Sequence, residues 1–231
     1  MFKAMVWKEW REIRGIVLLA LAVYAMLVVS TIQPQVMGDL MVFSVFCSGN
    51  TPSDLPFVND AFTGHYWWIS LALALTLGIR QTCNESSRGT YLFLLHRPAS
   101  RRWLFWMKLL VGLAALLTCA AAPVLIYAVW AVRHAMLFEW PMTLGFWICW
   151  FLMIPAYLGA FLTGIRPGRW IGTRLLPMVA ALVCVPIGLE LFDIVPQNLT
   201  SFALLASALF VVLDVGLLLA IFFVVRTRDY A

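Results

Sequence analysis

An all-α membrane protein with six transmembrane helices is what this sequence predicts, and three observations predict it. The first is composition. The 231 residues are 63% hydrophobic and 12% charged, with a mean hydropathy of +0.92. A water-soluble domain carries about twice that share of charge. The second is a set of six apolar stretches, each near the length that crosses a bilayer, about 17–25 residues. They lie at 15–32, 62–79, 109–132, 142–164, 175–194 and 201–225. The third is charge placement. With the N-terminus in the cytoplasm, fifteen of the sixteen Lys and Arg residues fall on the cytoplasmic side, and only Arg133 lies outside. Lys and Arg in short loops set orientation, so both termini are expected in the cytoplasm. The whole chain, 1–231, reads as one transmembrane domain.

Residues 2–14 come first and read as a short amphipathic helix. Phe2, Met5, Val6, Trp10 and Ile13 follow helical spacing on one face, and Lys3, Lys8, Glu9, Arg11, Glu12 and Arg14 occupy the rest. Such a helix is expected to lie in the inner headgroup region before the chain turns into the bilayer. The plainer alternative is a charged extension of the first span. The following apolar run is longer than a usual signal-peptide core and has no A-x-A-like site after it, so it is expected to be a retained span.

Residues 33–61 form the longest external segment. Pro34, Pro52, Pro56, Gly38 and Gly49 break it, and it is too short for a separate ligand-binding domain. Residues 80–108 form a cytoplasmic segment with structure of its own. Positions 85–95 suit a short helix, which Arg97-Pro98 ends. Ser100 is placed to N-cap a helix that starts at Arg101 and runs into the third span. The fifth stretch carries Pro177 and Pro186, with Glu190, Asp193 and Pro196 at its outer end. It reads as a span that breaks before reaching the surface, and broken backbone at that depth needs cover from protein or a watery cavity. Asn198-Leu199-Thr200 matches a glycosylation sequon, a pattern frequent by chance.

The tryptophans fit the spans. Trp67, Trp68, Trp130 and Trp140 fall at the expected outer boundary, and Trp7, Trp10, Trp103, Trp106 and Trp170 at the inner one. Interfaces favour an aromatic with an apolar body and a polar N–H. Trp147 and Trp150 lie deeper and are expected to pack. The net charge of +5 sits at span ends, where it meets anionic membrane lipid, and is not read as a nucleic-acid footprint. The five cysteines, at 47, 83, 119, 149 and 184, make no C-x-x-C pair and suggest neither a disulfide framework nor zinc. His65, His96 and His134 are far apart and near boundaries, so interfacial roles are expected.

Asp214 is the one acid deep in an expected span. An acid there costs about 2.5–3.5 kcal/mol on insertion scales and should face the interior or a cavity. It is either a contact on a substrate pathway or a hydrogen-bonded tie to a neighbouring helix. No H-E-x-x-H or G-x-S-x-G motif is present, so no catalytic residues are assigned. Nor is there a phosphate-binding G-x-x-x-x-G-K-[ST] loop: the lysines are Lys3, Lys8 and Lys108, and none follows a glycine.

The cytoplasmic segment Glu85-Ser86-Ser87-Arg88-Gly89-Thr90, then Leu94-Leu95, then Pro98-Ala99-Ser100-Arg101, resembles the first cytoplasmic loop of type-2 ABC exporter permeases. Those proteins commonly show an acid, Gly-Thr four to five residues on, a Leu pair, and Pro-x-Ser-Arg before a basic helix. Trp7-Lys8-Glu9-Trp10-Arg11-Glu12 resembles their amphipathic entry helix, and Arg226-Thr227-Arg228-Asp229-Tyr230 their basic ending. The similarity covers the whole chain in topology and size, and about thirty residues in motif. It implies a permease subunit in a bacterial inner membrane that pairs with a second permease copy or homologue and with ATP-binding subunits. ATP and Mg would be bound by those partners, and no cofactor by this chain. Glu85, Arg88, Gly89 and Thr90 would lie in or beside a coupling helix that seats on the ATPase. Pro98, Ser100 and Arg101 would form the turn back to the membrane. Two departures stand out: the second span is short for a crossing, and there is no large external domain. A membrane scaffold or sensor, and a proton-linked carrier using Asp214, are the competing functions.

Overall fold

A computed structural model describes residues 2–32, 57, 60–88, 101–134, 138–166, 172, 174–183 and 200–227. Several expectations fall outside the described residues: the external segment 33–56, Gly89, Thr90, the Leu94-Leu95 pair, Pro98, Ser100, the outer part of the fifth stretch with Pro186, Glu190, Asp193 and Pro196, Asn198, and the ending from Arg228.

The described chain is helical. The helices are α1 (Phe2–Ile32), α2 (Asp60–Arg88), α3 (Arg101–Arg133), α4 (Leu144–Ile165), α5 (Arg174–Val183) and α6 (Thr200–Thr227), with a 3-10 turn, Trp140–Thr143, leading into α4. Among the described residues, four stretches are long and apolar enough to cross a membrane: α1, α3, α4 with its leading turn, and α6. That is the build of an integral membrane protein. The other two expected spans fall short of it for different reasons. Helix α2 has the length, 29 residues, but Thr63, His65, Tyr66, Trp67, Trp68 and Ser70 dilute its first half. Helix α5 has the apolar character, but its described residues cover about 15 Å at 1.5 Å per residue, and the rest of the expected 175–194 stretch lies outside the described residues.

One expected helix is not a separate element. Residues 2–14 do not lie apart from the first span, because α1 is continuous from Phe2 to Ile32 and Gly15 does not break it. The charged-extension alternative is the one observed. The expected face is also rotated. The buried stripe runs Glu9, Ile13, Val17, Ala20, Tyr24, so an acid occupies the inward position while Trp7 and Trp10 are exposed. Glu85 and Arg88, expected in a short helix over 85–95, lie within α2, and the rest of that stretch falls outside the described residues. Helix α3 starts at Arg101, where the sequence places it.

These continuations make the helices long. At 1.5 Å per residue, α1 with 31 residues measures about 46 Å, α2 with 29 about 44 Å and α3 with 33 about 50 Å. The hydrocarbon core is only about 30 Å thick. Each helix must therefore extend past it, and most of the charged residues gather at one end: Lys3 to Arg14 on α1, Arg80 to Arg88 on α2 and Arg101 to Lys108 on α3, with Asp60 and Arg133 at the other ends of α2 and α3.

The described residues fall into two compact units. One holds residues 15–73 and 115–151. Its core is aromatic: Phe57, Phe62, Tyr66, Tyr127 and Phe146 meet with ring centroids 4.6–6.4 Å apart. Tyr66 donates to the Ala120 carbonyl at 2.9 Å, and the hydroxyls of Tyr24 and Ser70 are 2.6 Å apart. Phe57 is buried with φ at 68°, a left-handed conformation costly for a non-glycine residue. Packing against Phe62, Tyr127, Phe138 and Phe146 holds it there. Trp147 and Trp150 are packing residues, as their depth suggests: their indole N–H groups donate to Thr143 Oγ1 and the Leu117 carbonyl.

The other unit holds residues 1–14, 74–114 and 152–231. Here the second half of α4 is enclosed. Met153, Ala156, Tyr157, Leu158, Ala160, Phe161 and Ile165 are essentially inaccessible. Helices α2 and α4 meet through small residues. A Cβ on Gly78 would stand 2.7 Å from the Ala160 Cβ and 2.8 Å from the Tyr157 carbonyl oxygen, and one on Gly164 would overlap Thr82 Oγ1. Close backbone approach through Gly and Ala is how helices pack where hydrocarbon removes the hydrophobic drive. Helix α6 lies at the opposite extreme, with Leu209, Val212, Leu219 and Phe223 each more than 60% exposed. Such faces suit lipid rather than water.

Candidate functional site at the basic helix ends

The unit that contains the charged helix ends also contains a buried polar network. Its members are Glu9 on α1, Gln81 on α2, Lys108 on α3 and Tyr157 on α4. Lys108 Nζ lies 3.1 Å from Glu9 Oε2, with both side chains about 95% buried. The same ammonium donates to the Gln81 backbone carbonyl at 3.1 Å. In return Gln81 Nε2 donates to the Lys108 backbone carbonyl, also at 3.1 Å. The Tyr157 hydroxyl donates to Gln81 Oε1 at 2.7 Å, with the Leu109 carbonyl 3.2 Å away as a second acceptor. Lys8 stands 3.8 Å from Glu9 and 3.7 Å from Glu12 at the half-exposed edge.

Each contact has a local cause. Glu9 occupies the inward stripe of α1 one turn before Ile13, so its carboxylate cannot reach water. A buried charge needs a partner, and Lys108 at the third helix supplies it. Tyr157 orients the Gln81 amide: its O–H takes Oε1, which leaves Nε2 for the Lys108 carbonyl. Gly112 makes room. Side chains in a helix lean toward its N-terminus, so residue 112 would cover the carbonyl of residue 108. A Cβ at Gly112 would overlap Gln81 Oε1 and the Tyr157 hydroxyl. Beyond the network, Arg174 donates from Nε to the Thr163 carbonyl at 3.2 Å and caps the end of α4.

The network ties together the two helices that flank residues 89–100. Gln81 and Lys108 exchange hydrogen bonds across the base of the α2–α3 pair, and Glu9 and Tyr157 fix that base to α1 and α4. Converting Tyr157 to Phe should leave Gln81 Oε1 without its donor and cost about 1–3 kcal/mol. Unfolding in mild detergent, compared with wild type, measures that loss.

Of the residues expected to contact a partner ATPase, Glu85 and Arg88 lie in the last turn of α2 and Arg101 in the first turn of α3. Gly89, Thr90, Pro98 and Ser100 are outside the described residues. Asp214 lies mid-way along α6, half-buried, with Oδ1 enclosed and without a hydrogen-bond partner among the described residues. No group of three or more His, Cys, Asp or Glu is placed to hold a metal among the described residues. Sequence reasoning missed the network. It assigned Glu9 to a polar face and Lys108 to the headgroup region, and passed over Gln81 and Tyr157. One signal was available: Lys108 directly abuts the apolar run starting at Leu109, where a cation needs a partner. Comparison with protein-family models, with characterised proteins and with solved structures returns no match for this chain.

Proposed function

We propose that this chain is the membrane-spanning subunit of an ATP-binding-cassette exporter, moving a hydrophobic or amphipathic substrate with energy from a separate ATPase. The observation that supports this most is the locked base of the α2–α3 pair. Two helices longer than the hydrocarbon is thick carry Glu85, Arg88 and Arg101 at their basic ends. Their reciprocal Gln81–Lys108 bonds join them in one buried network with α1 and α4. A segment that only connected two spans would need no such anchoring. A segment that receives force from a partner would, because a push at residues 85–101 then moves several helices together. The motif in that segment is the part of the sequence that resembles type-2 ABC permeases.

On this reading α2 and the 175–194 stretch complete six spans, with both termini cytoplasmic in a bacterial inner membrane. A second permease copy or homologue and two ATP-binding subunits complete the transporter. ATP and Mg belong to those subunits, and this chain acts as a lever and pathway rather than as an enzyme. The enclosed Oδ1 of Asp214, without a hydrogen-bond partner among the described residues, favours a second reading, a proton-linked carrier in which that carboxyl exchanges protons with the pathway.

One experiment separates the two. The tagged chain is purified from its native host in mild detergent, and co-purifying proteins are identified. Transport and ATPase activity are then measured for Glu85→Lys with Gly89→Trp, and separately for Asp214→Asn. The exporter reading expects a stoichiometric ATP-binding subunit, lost together with coupled activity in the Glu85/Gly89 variant, while that variant still inserts. A solitary protein whose flux is driven by pH, needs no ATP and disappears in Asp214→Asn would overturn it in favour of the carrier.

A further inference from the structure

Residues 2–14 of α1, within the unit that carries the polar network, present one outward face of mixed cations and indoles. Lys3, Trp7, Trp10, Arg11 and Arg14 are all exposed, Trp7 by 65% and Trp10 by 38%. At 3.6 residues per turn these five side chains leave the helix within an arc of about 100°. The same turns point Glu9 and Ile13 inward, and the Glu9–Lys108 pair fixes that orientation. Lys8 is engaged by Glu9 and Glu12 on the flank, whereas Lys3, Arg11 and Arg14 make no ion pair among the described residues. The backbone adds to their charge. The first turn of α1 holds no acid, so Lys3 reinforces the positive end of the helix dipole instead of offsetting it. An anionic partner is favoured on this face.

Height along the helix decides which anion can reach it. The apolar run of α1 ends at Ile32. Counted back at 1.5 Å per residue, a hydrocarbon core of about 30 Å reaches to about Ile13 in an upright helix, and headgroups add about 5–7 Å. Trp10 and Arg14 fall within these layers and suit lipid. Trp7 stands about 9 Å and Lys3 about 15 Å beyond the hydrocarbon, past the headgroups. Side chains of a helix lean toward its N-terminus, so Arg11 reaches up toward Trp7, one turn away. Lys3, Trp7 and Arg11 thus form an i, i+4, i+8 row that lipid does not cover. An exposed indole between cations has the composition of a protein contact, where Trp and Arg are enriched.

We propose that the Lys3–Trp7–Arg11 row is a docking surface for the ATP-binding subunit, which meets it with acidic side chains around an apolar notch for the Trp7 indole. The inference rests on the exporter reading and adds to it a contact outside residues 85–101. It also gives the buried network a second input. Glu9 lies on the same turns as Trp7 and Arg11 and pairs with Lys108, so a partner pressing on α1 reaches α3 through that ion pair.

The test titrates the purified chain, in nanodiscs of phosphatidylcholine and phosphatidylglycerol, with the purified ATP-binding subunit that accompanies it. Lys3→Glu combined with Arg11→Glu, and separately Trp7→Ala, should each weaken binding at least tenfold while unfolding in detergent stays at the wild-type value. Added salt should weaken binding to the wild type far more than to the charge-reversed variant. A photo-crosslinking benzoylphenylalanine in place of Trp7 should give an adduct with the subunit. Unchanged affinity in both variants would overturn the proposal, and so would adducts at position 7 with lipid alone, since the row would then be a membrane contact. Absence of any ATP-binding subunit removes the exporter reading and this surface together. A subunit that binds both variants normally removes the surface and leaves the exporter reading standing.

Discussion

Replacing Lys108 with Met is expected to destabilise the protein by about 3–5 kcal/mol, the usual cost of breaking a buried ion pair from one side. The ammonium and the Glu9 carboxylate are each about 95% buried, so water cannot replace the lost partner. Lys8, at 3.8 Å and on the half-exposed edge, offsets only part of the loss. The substitution also removes the donor to the Gln81 carbonyl. Unfolding in detergent against a denaturant series reads the change directly. The informative companion is Glu9→Leu combined with Lys108→Met. Removing both charges replaces a desolvated pair with apolar surface and should recover most of the stability. Equal losses in the single and double variants would mean that packing, not charge pairing, is what Lys108 contributes. On the proposed exporter reading, a double variant that is stable but loses coupled transport would show that the pair serves transmission as well as folding.

Gly112→Val should be nearly as damaging, by about 3 kcal/mol. Overpacking a filled site costs about 1–3 kcal/mol, and each buried polar group left unpaired adds about 1–3 kcal/mol. The new Cβ would overlap Gln81 Oε1 and the Tyr157 hydroxyl, and neither can retreat without giving up its hydrogen bond. A helix interior ordinarily prefers Ala to Gly by about 1 kcal/mol. Gly112→Ala is therefore a sharp comparison: a loss of stability there shows that the space, not the helix, decides. The same substitution at Gly15, where a Cβ would meet nothing within 4 Å, should stabilise α1 slightly. Opposite signs at these two glycines would be readable in one set of unfolding curves.

Helix α1 shows how amphipathic reading can go astray near a membrane. A face of Phe2, Met5, Val6, Trp10 and Ile13 assumes that apolar residues turn inward. At a bilayer boundary an exposed Trp is stable, and a charged residue can turn inward if another helix brings its counter-charge. Trp10 is therefore out and Glu9 is in. The expected entry helix covers residues 2–14, but no residue at its end forbids helix, and α1 continues through Gly15. The Glu85–Arg88 turn follows the same logic, since nothing before Arg88 stops α2.

Composition, hydropathy and charge placement are enough to establish a helical membrane protein, where its long apolar helices lie and at which ends most of the cations gather. Those properties are local: hydropathy over about twenty residues and charge at the boundaries do not depend on what packs against what. Hydropathy also shows Asp214 as an isolated acid in an apolar helix. That Glu9, Gln81, Lys108 and Tyr157 form one network emerges only in three dimensions, because they are separated by 27 to 99 positions where a contact joins them directly. Pairing over such distances is set by how four helices approach, and that approach depends on spaces left by Gly78, Gly112 and Gly164. A glycine in a helix reads in sequence as a weak point. Whether it is instead the place where a neighbour's polar group must fit is a property of the neighbour.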